Sequence, residues 1–313
     1  MASPRLTAAS PAVEHVLSDY EAYLHNVCGL AVATKRYRRR YVREFLHFVF
    51  ESERIQWKRI LPSHVQSFIA QYGNDGKAGA AQVGGGSLRS FLRWLVLKGR
   101  TAPGLIGAVP HFPQWRLAAL PTVMTDEQLR QFLASFDRSR PSGRRDYAMA
   151  LCMVDLGLRV AEVADLTIDD LDEMAGTLRL SATKSRRDRV LPMPQRVRQA
   201  VIDYLRRDRL ATDHRQLFVR HRLPTGAAVT RELIRGVMRR AYATVPGCEG
   251  WTGTHVLRHT AATRLHRAGA DLKRVADILG HRSIDTTAIY TKVDLNRLSQ
   301  VALPWPEWKA VRS

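Results

Sequence analysis

The sequence predicts a mainly α-helical protein with one small antiparallel β-sheet, built as two domains. Apolar residues recur at helical spacing along most of the chain, punctuated by capping residues and glycines. One stretch near the middle instead alternates with period two on both sides of a polar turn. Between the periodic halves lies a segment, residues 101–121, that holds Pro103, Pro110, Pro113 and Pro121 and reads as a linker.

A chain of 313 residues allows about two domains with ample core. Hydrophobic content of 45% and charged content of 25% are those of an ordinary soluble protein. The net charge of +20 is not, and it is carried mainly by arginine, which suits phosphate better than lysine does. Both halves carry the excess, as expected of a chain that meets nucleic acid along its length. Cys28, Cys152 and Cys248 are too few and too scattered for a disulfide framework or a zinc knuckle, and Cys152 sits in an apolar run that reads as core. No signal peptide is read, and no apolar run approaches the ~20 residues of a membrane span. A cytoplasmic, nucleoid-associated protein without a membrane partner is expected.

Residues 1–11 are small and polar and read as a loose tail. From Pro11 to about Gly29 the spacing of Val13, Val16, Leu17, Tyr20 and Leu24 is helical. Thr34 is the expected cap of a second helix, with Tyr37, Tyr41, Phe45 and Phe48 on one face. Arg36, Arg39, Arg40 and Arg43 surround the other, either as a solvated charged face or as contacts to a DNA backbone. A third helix is expected from Pro62–Ser63 to before Gly73. Gly73–Gly86 reads as a flexible loop, lacking the Lys-Ser/Thr ending of a phosphate-binding loop, and Ser87 as the cap of a fourth helix.

Beyond the linker, Thr125 caps a helix with acids in its first turn, and Ser142 opens another that Gly157 closes. Arg159 follows that end and Glu162 comes three residues later; an arginine there can simply cap carbonyls. Residues 177–194 carry the hairpin pattern, with Lys184 at the turn and Arg186, Arg187 and Arg189 around it. Lys184 on these grounds alone is an exposed loop lysine. Helices are expected over Pro194–Arg209 and Thr230–Tyr242, with a short extended segment between.

The chemistry concentrates in Thr254–Tyr290. Thr254 is an expected N-cap, Gly269 a stop, and Asp271 the cap of a short helix ending at Gly280. A third helix is expected from Ser283, carrying Tyr290. His255 and Arg258 are three residues apart and share a helical face, while Leu257, Ala261, Leu265 and Ala268 form an apolar stripe. With His281 and Tyr290, the inventory is an arginine, two histidines and a tyrosine, with no acidic cluster for Mg²⁺. That set suits phosphoryl transfer to a tyrosine. A phenol with a reference pKa near ~10 needs activation, and Arg and His donors can stabilise charge on the phosphorus centre.

The run H-V-L-R-H-T-A-A-T, then A-D-L-K-R-V and I-L-G-H-R-S-I-D-T-T-A-I-Y-T, resembles the C-terminal signature of the tyrosine recombinases, the phage-integrase family. G-L-R-V-A-E-V-A-D-L is similar to that family's first catalytic box. The resemblance implies a helical core-binding domain over residues 12–100 and a mixed α/β catalytic domain over 122–297. It implies catalysis by Arg159, Lys184, His255, Arg258, His281 and Tyr290, with Glu162 orienting Arg159. Lys184 would protonate the 5′-oxygen leaving group, although Thr183 and Ser185 flank it where the family has glycines. Arg186, Arg187 and Arg189 would be phosphate contacts. Tyr290 would form a 3′-phosphotyrosine on double-stranded DNA clamped between the domains, with no metal or nucleotide cofactor. Strand exchange through a Holliday junction would follow in a homotetramer, alone or with other recombinases. Residues 298–313, with Trp305 and Trp308, could fold back on their own domain, but the resemblance implies that they dock on a neighbouring protomer. The tail points to a mobile-element enzyme.

Three other readings compete. A metal site using His255, His259 and His281 lacks the glutamate that should follow the first histidine, because Val256 stands there. His259 then reads as a structural histidine. A DNA-binding regulator without chemistry would have no use for all six catalytic positions. A type IB topoisomerase shares the chemistry, but the two-domain length and the tail fit a recombinase better.

Overall fold

The computed structural model describes residues 10–51, 54–74, 78–111, 121–181, 188–280 and 287. The chain divides into two compact units, Met1–Gln114 and Trp115–Ser313.

The first unit is helical: α1 (Pro11–Asn26), α2 (Val32–Phe50), α3 (Pro62–Asn74), α4 (Ala78–Leu97) and a short α5 (Gly104–Gly107). The Ser10 hydroxyl accepts from the Val13 N–H, Pro11 fits the first turn, and the five expected apolar positions of α1 are buried. α2 begins ahead of the expected Thr34 cap, because the Lys35 N–H already closes a turn on the Ala31 carbonyl at 3.1 Å. Tyr41 and Phe45 point inward from α2, whereas Tyr37 stays exposed.

The expected glycine loop is corrected by the structure, which continues α4 through Gly79, Gly84 and Gly86. Each glycine costs a helix ~1 kcal/mol against alanine. Burial of Leu88, Phe91, Leu92, Trp94 and Leu95 along the same helix offsets that cost. Gly84 also sets the packing distance: a Cβ there would lie 3.2 Å from Tyr41 Cε1. Ser87 is inside the helix, donating to the Val83 carbonyl at 2.8 Å, and caps nothing. In the stretch expected as linker, Leu105 and Val109 pack into this unit's core; residues 112–120 lie outside the described residues.

The second unit runs α6 (Asp126–Ala134), α7 (Pro141–Val154), α8 (Val160–Asp165), β1 (Leu171–Asp172), β2 (Thr177–Leu180), β3 (Arg189–Pro192), α9 (Gln195–Arg207), α10 (Arg231–Tyr242), α11 (His255–Arg267) and α12 (Leu272–Leu279). Thr125 caps α6 through a reciprocal box with Gln128, and Thr230 caps α10. The sheet is antiparallel in the order β1-β2-β3, with Leu178 opposite Leu191 on the inward face. The expected hairpin arms are β2 and β3; β1 was not legible in the sequence. α7 is the central helix, and every residue from Ala148 to Val154 is buried. Cys152 lies among them, its thiol pushed up to about 12 by burial.

Candidate active site

Three helix ends converge on the site. α7 passes into Asp155, and the Leu158 N–H returns to the Cys152 carbonyl at 3.2 Å across Gly157, whose φ is +64°. Only a residue content with the left-handed region suits that corner, and glycine is so at no steric cost. The corner delivers Arg159 to the N-cap of α8. There Glu162, three residues on, accepts from the Arg159 backbone N–H at 2.8 Å and from its Nη1 at 2.8 Å.

α12 supplies the second helix end. Asp271 accepts from the Arg274 N–H at 2.7 Å to start it, and Gly280, at φ +63°, stops it. The last carbonyls of a helix have no partner inside it and carry the negative end of its dipole. Here they hold two guanidiniums. Arg258 Nη2 donates to the Leu279 carbonyl and Arg159 Nη2 to the Gly280 carbonyl at 3.3 Å. Arg258 Nη1 donates in turn to the Gly157 carbonyl at 2.6 Å. One short helix thereby sets the spacing of two arginines 99 residues apart in sequence.

α11 supplies the third. Thr254 stands at its N-cap but makes no side-chain capping bond, unlike the expectation. Arg258 is buried on the inner side of the helix, while His255, one turn earlier, is exposed. Leu257 and Ala261 of the expected stripe are buried, whereas Ala268 is exposed at the C-cap. His259 stacks edge-on to His255 with centroids 5.7 Å apart. Burial, then the neighbouring His255 and Arg258, lower its pKa to about 4, so it is neutral near pH 7 and poorly suited to carry a proton.

Gly253 keeps the His255 imidazole in place, since a Cβ there would overlap its Cε1 and Nδ1. Gly253→Ala is expected to swing the exposed ring away with little change in melting temperature. If the ring takes part in cleavage as the family resemblance implies, DNA cleavage should then fall about 10- to 100-fold. Unchanged single-turnover cleavage would show that the ring's position is immaterial.

Arg159 thus meets Glu162 directly, while Arg159 and Arg258 share the end of α12 through the Gly280 and Leu279 carbonyls. Arg189, expected as a phosphate contact, is there too: its side chain is 10% exposed and its Nη2 donates to Glu162 at 3.0 Å. Burial pushes the Glu162 carboxyl up, but the Arg159 N–H and the Arg189 charge outweigh it and hold the pKa below the ordinary range. Arg159 is 32% exposed, so a guanidinium with five N–H donors keeps some for an anion. Lys184, Arg186, Arg187, His281 and Tyr290 lie outside the described residues.

In the first unit, Arg39 pairs with Glu21 and with Glu14 at 2.6 Å, Arg40 with Glu44 at 2.8 Å, and Arg43 with Glu14 at 2.9 Å. Arg36 is exposed. Such surface pairs contribute only ~0–1 kcal/mol each, so they would give way to a phosphate at small cost. Among the described residues no cluster of three His, Cys, Asp or Glu could hold a metal, and no helix is long and apolar enough to cross a membrane.

Residues 122–297 match the phage integrase family, and residues 17–99 match the phage integrase N-terminal SAM-like domain. The chain belongs to the phage integrase family. Integrase/recombinase y4rA of Sinorhizobium fredii is 35% identical over 295 residues, covering 94% of this chain and 72% of that one. Tyrosine recombinase XerD of Listeria monocytogenes is 29% identical over 303 residues, covering 91% and 96%. Among solved structures, XerH site-specific recombinase bound to palindromic difH substrate superposes with a TM-score of 0.71 at 21% identity, covering 91% of this chain and 83% of that one. The Tn1549 transposon integrase in complex with transposon right-end DNA gives 0.69 at 19%, covering 91% and 99%. At these identities the structures establish the fold. Family membership makes the chain a tyrosine recombinase, an enzyme that breaks and rejoins DNA strands. The regulator and topoisomerase readings are not favoured.

Proposed function

We propose that this integrase-family member recombines a mobile element at specific DNA sites through a 3′-phosphotyrosine, with Tyr290 as the nucleophile. The Tyr290 oxygen attacks the scissile phosphorus as the bond to the 5′-oxygen breaks. His255 assists removal of the phenolic proton and Lys184 gives a proton to the departing 5′-oxygen. Arg159, Arg258 and His281 stabilise the charge on the non-bridging oxygens. A 5′-hydroxyl of the partner strand then attacks the phosphotyrosine, frees Tyr290 and completes one exchange. The bond energy is stored in the ester, so neither metal nor nucleotide is consumed.

The observation that carries this reading is the pair of guanidiniums fixed by adjacent carbonyls, Leu279 and Gly280, at the end of α12. Arginines held in advance need not reorganise as charge develops on the phosphate. Residues 12–100 act as a core-binding domain, 122–297 as the catalytic domain, and both engage the same duplex. Residues 101–121 connect them. Exchange proceeds through a Holliday junction in a tetramer at the nucleoid, with residues 298–313 docking between protomers.

Covalent adducts captured after SDS denaturation, and the DNA attached to them sequenced, test this directly. Wild type should yield adducts at one or a few loci and Tyr290→Phe none. Adducts without sequence preference would point to a relaxing activity instead. No adduct even on a nicked trapping substrate would remove the enzyme reading.

A further inference from the structure

Arg189 opens β3, five residues after Lys184 in the sequence. Side chains alternate along a strand, so Arg189 shares the inward face with the buried Leu191 while Val190 between them is exposed. An arginine on that face is largely enclosed by protein, its side chain 10% exposed. Its Nη2 reaches Glu162 at 3.0 Å, and its Nε and Nη1 are buried without a hydrogen-bond partner among the described residues. Glu162, itself 2% exposed, is therefore one carboxylate shared by two guanidiniums, those of Arg159 and Arg189. On its other side Arg189 lies against the α12 cap, where a Cβ on Gly280 would stand 2.6 Å from Nη1.

We infer that Arg189 is a positioning residue for strand cleavage: through Glu162 it fixes the Arg159 guanidinium, and it joins the start of β3 to the cap of α12. Without Arg189, Glu162 has one guanidinium fewer to fix its rotamer, and Arg159 gains freedom exactly where it must be rigid. Without Glu162, Arg189 loses its ion pair among the described residues and becomes a poorly compensated buried charge. The two residues act as one unit. The inference rests on Arg159 facing the scissile phosphate, as proposed above.

A double-substitution cycle in the full-length protein on its own DNA site reads this out. Arg189→Ala should lower the single-turnover cleavage rate at saturating DNA about 10- to 100-fold, as removal of an orienting partner usually does. DNA affinity and its salt dependence should stay unchanged. Arg189→Lys should recover part of the rate, and adding Glu162→Gln to Arg189→Ala should cost little more than the worse single change. The acid limb of the rate should move to higher pH in Arg189→Ala. Glu162 must be ionised to hold Arg159, and removing Arg189 removes one of the groups that keep it ionised.

A salt slope lower by about one, weaker binding and an unchanged saturated rate would instead make Arg189 a phosphate contact and overturn the inference. Rate losses that multiply in the double variant would overturn it as well. Should Arg189→Ala not fold, the same comparisons are read on Arg189→Lys and Arg189→Gln. If wild type forms no adduct at all, the recombinase mechanism fails rather than this inference. The pH titration of the Glu162 carboxyl by carbon NMR, with and without Arg189, then still decides whether the pair is coupled.

Discussion

Arg258→Ala is expected to lose cleavage activity by about 10²- to 10³-fold and to destabilise the catalytic unit by ~2–6 kcal/mol at the same time. Two separate facts produce the two losses. For activity, in the mechanism proposed above the variant removes one preorganised donor from the charge that develops on phosphorus. For stability, Arg258 is 8% exposed and its two nitrogens serve the carbonyls of Gly157 and Leu279. Alanine leaves both acceptors without that donor, at ~1–3 kcal/mol each. Arg258→Lys should restore the charge but not the loss, because one ammonium lacks the fork that spans two carbonyls. Urea unfolding followed at fixed m-value, beside the adduct-forming rate, separates the effects. A variant with wild-type stability and lost activity would mean that the carbonyl contacts carry no energy and that the guanidinium serves substrate alone.

The helix that holds these arginines was legible because its signals are local. Asp271 and Gly280 bracket eight residues, and the structure starts and stops α12 where they stand. The pairing of Arg159 with Glu162 came from the resemblance to the family's first catalytic box. The residues alone suggested only an arginine capping the end of a helix, whereas the structure places Arg159 at the N-cap of α8. α4 was not legible. A run of three glycines reads as loop by propensity, and the helix forms because its apolar face is buried against α2, a contact that sequence-local reasoning does not contain. Thr254 misled in the opposite sense, since the residue type fits an N-cap but its backbone, at ψ −8°, does not present the side chain to the helix. Arg189 was hidden by its neighbours. Arg186, Arg187 and Arg189 look like one basic run, yet the alternation that marked the hairpin also marks Arg189 as inward, on the side of Leu191. Periodicity outweighed composition there.

The corner at Gly157 sets up the second large effect. Gly157→Ala is expected to destabilise the catalytic unit by ~2–5 kcal/mol and to depress cleavage in the fraction that still folds. An L-residue at φ +64° costs ~1–2 kcal/mol from its own backbone. A Cβ there would also overlap the Leu279 Cδ2 methyl and sit 3.5 Å from Ala261 Cβ, and overpacking of that kind adds ~1–3 kcal/mol. Gly176→Ala is the matched control. Its φ is also +64° in the same unit, but the nearest atom to a new Cβ is an Arg198 nitrogen 3.8 Å away. It therefore carries the backbone cost alone, and the difference between the two variants measures the contact with Leu279. That contact matters to function because the Leu279 side chain is fully buried with little room to turn aside, while its carbonyl holds Arg258, the next carbonyl holds Arg159, and Gly157 supplies the remaining acceptor. A methyl added at the corner is thus transmitted to both guanidiniums. Equal destabilisation of the two variants would show that α12 shifts freely and that the arginine spacing is set elsewhere.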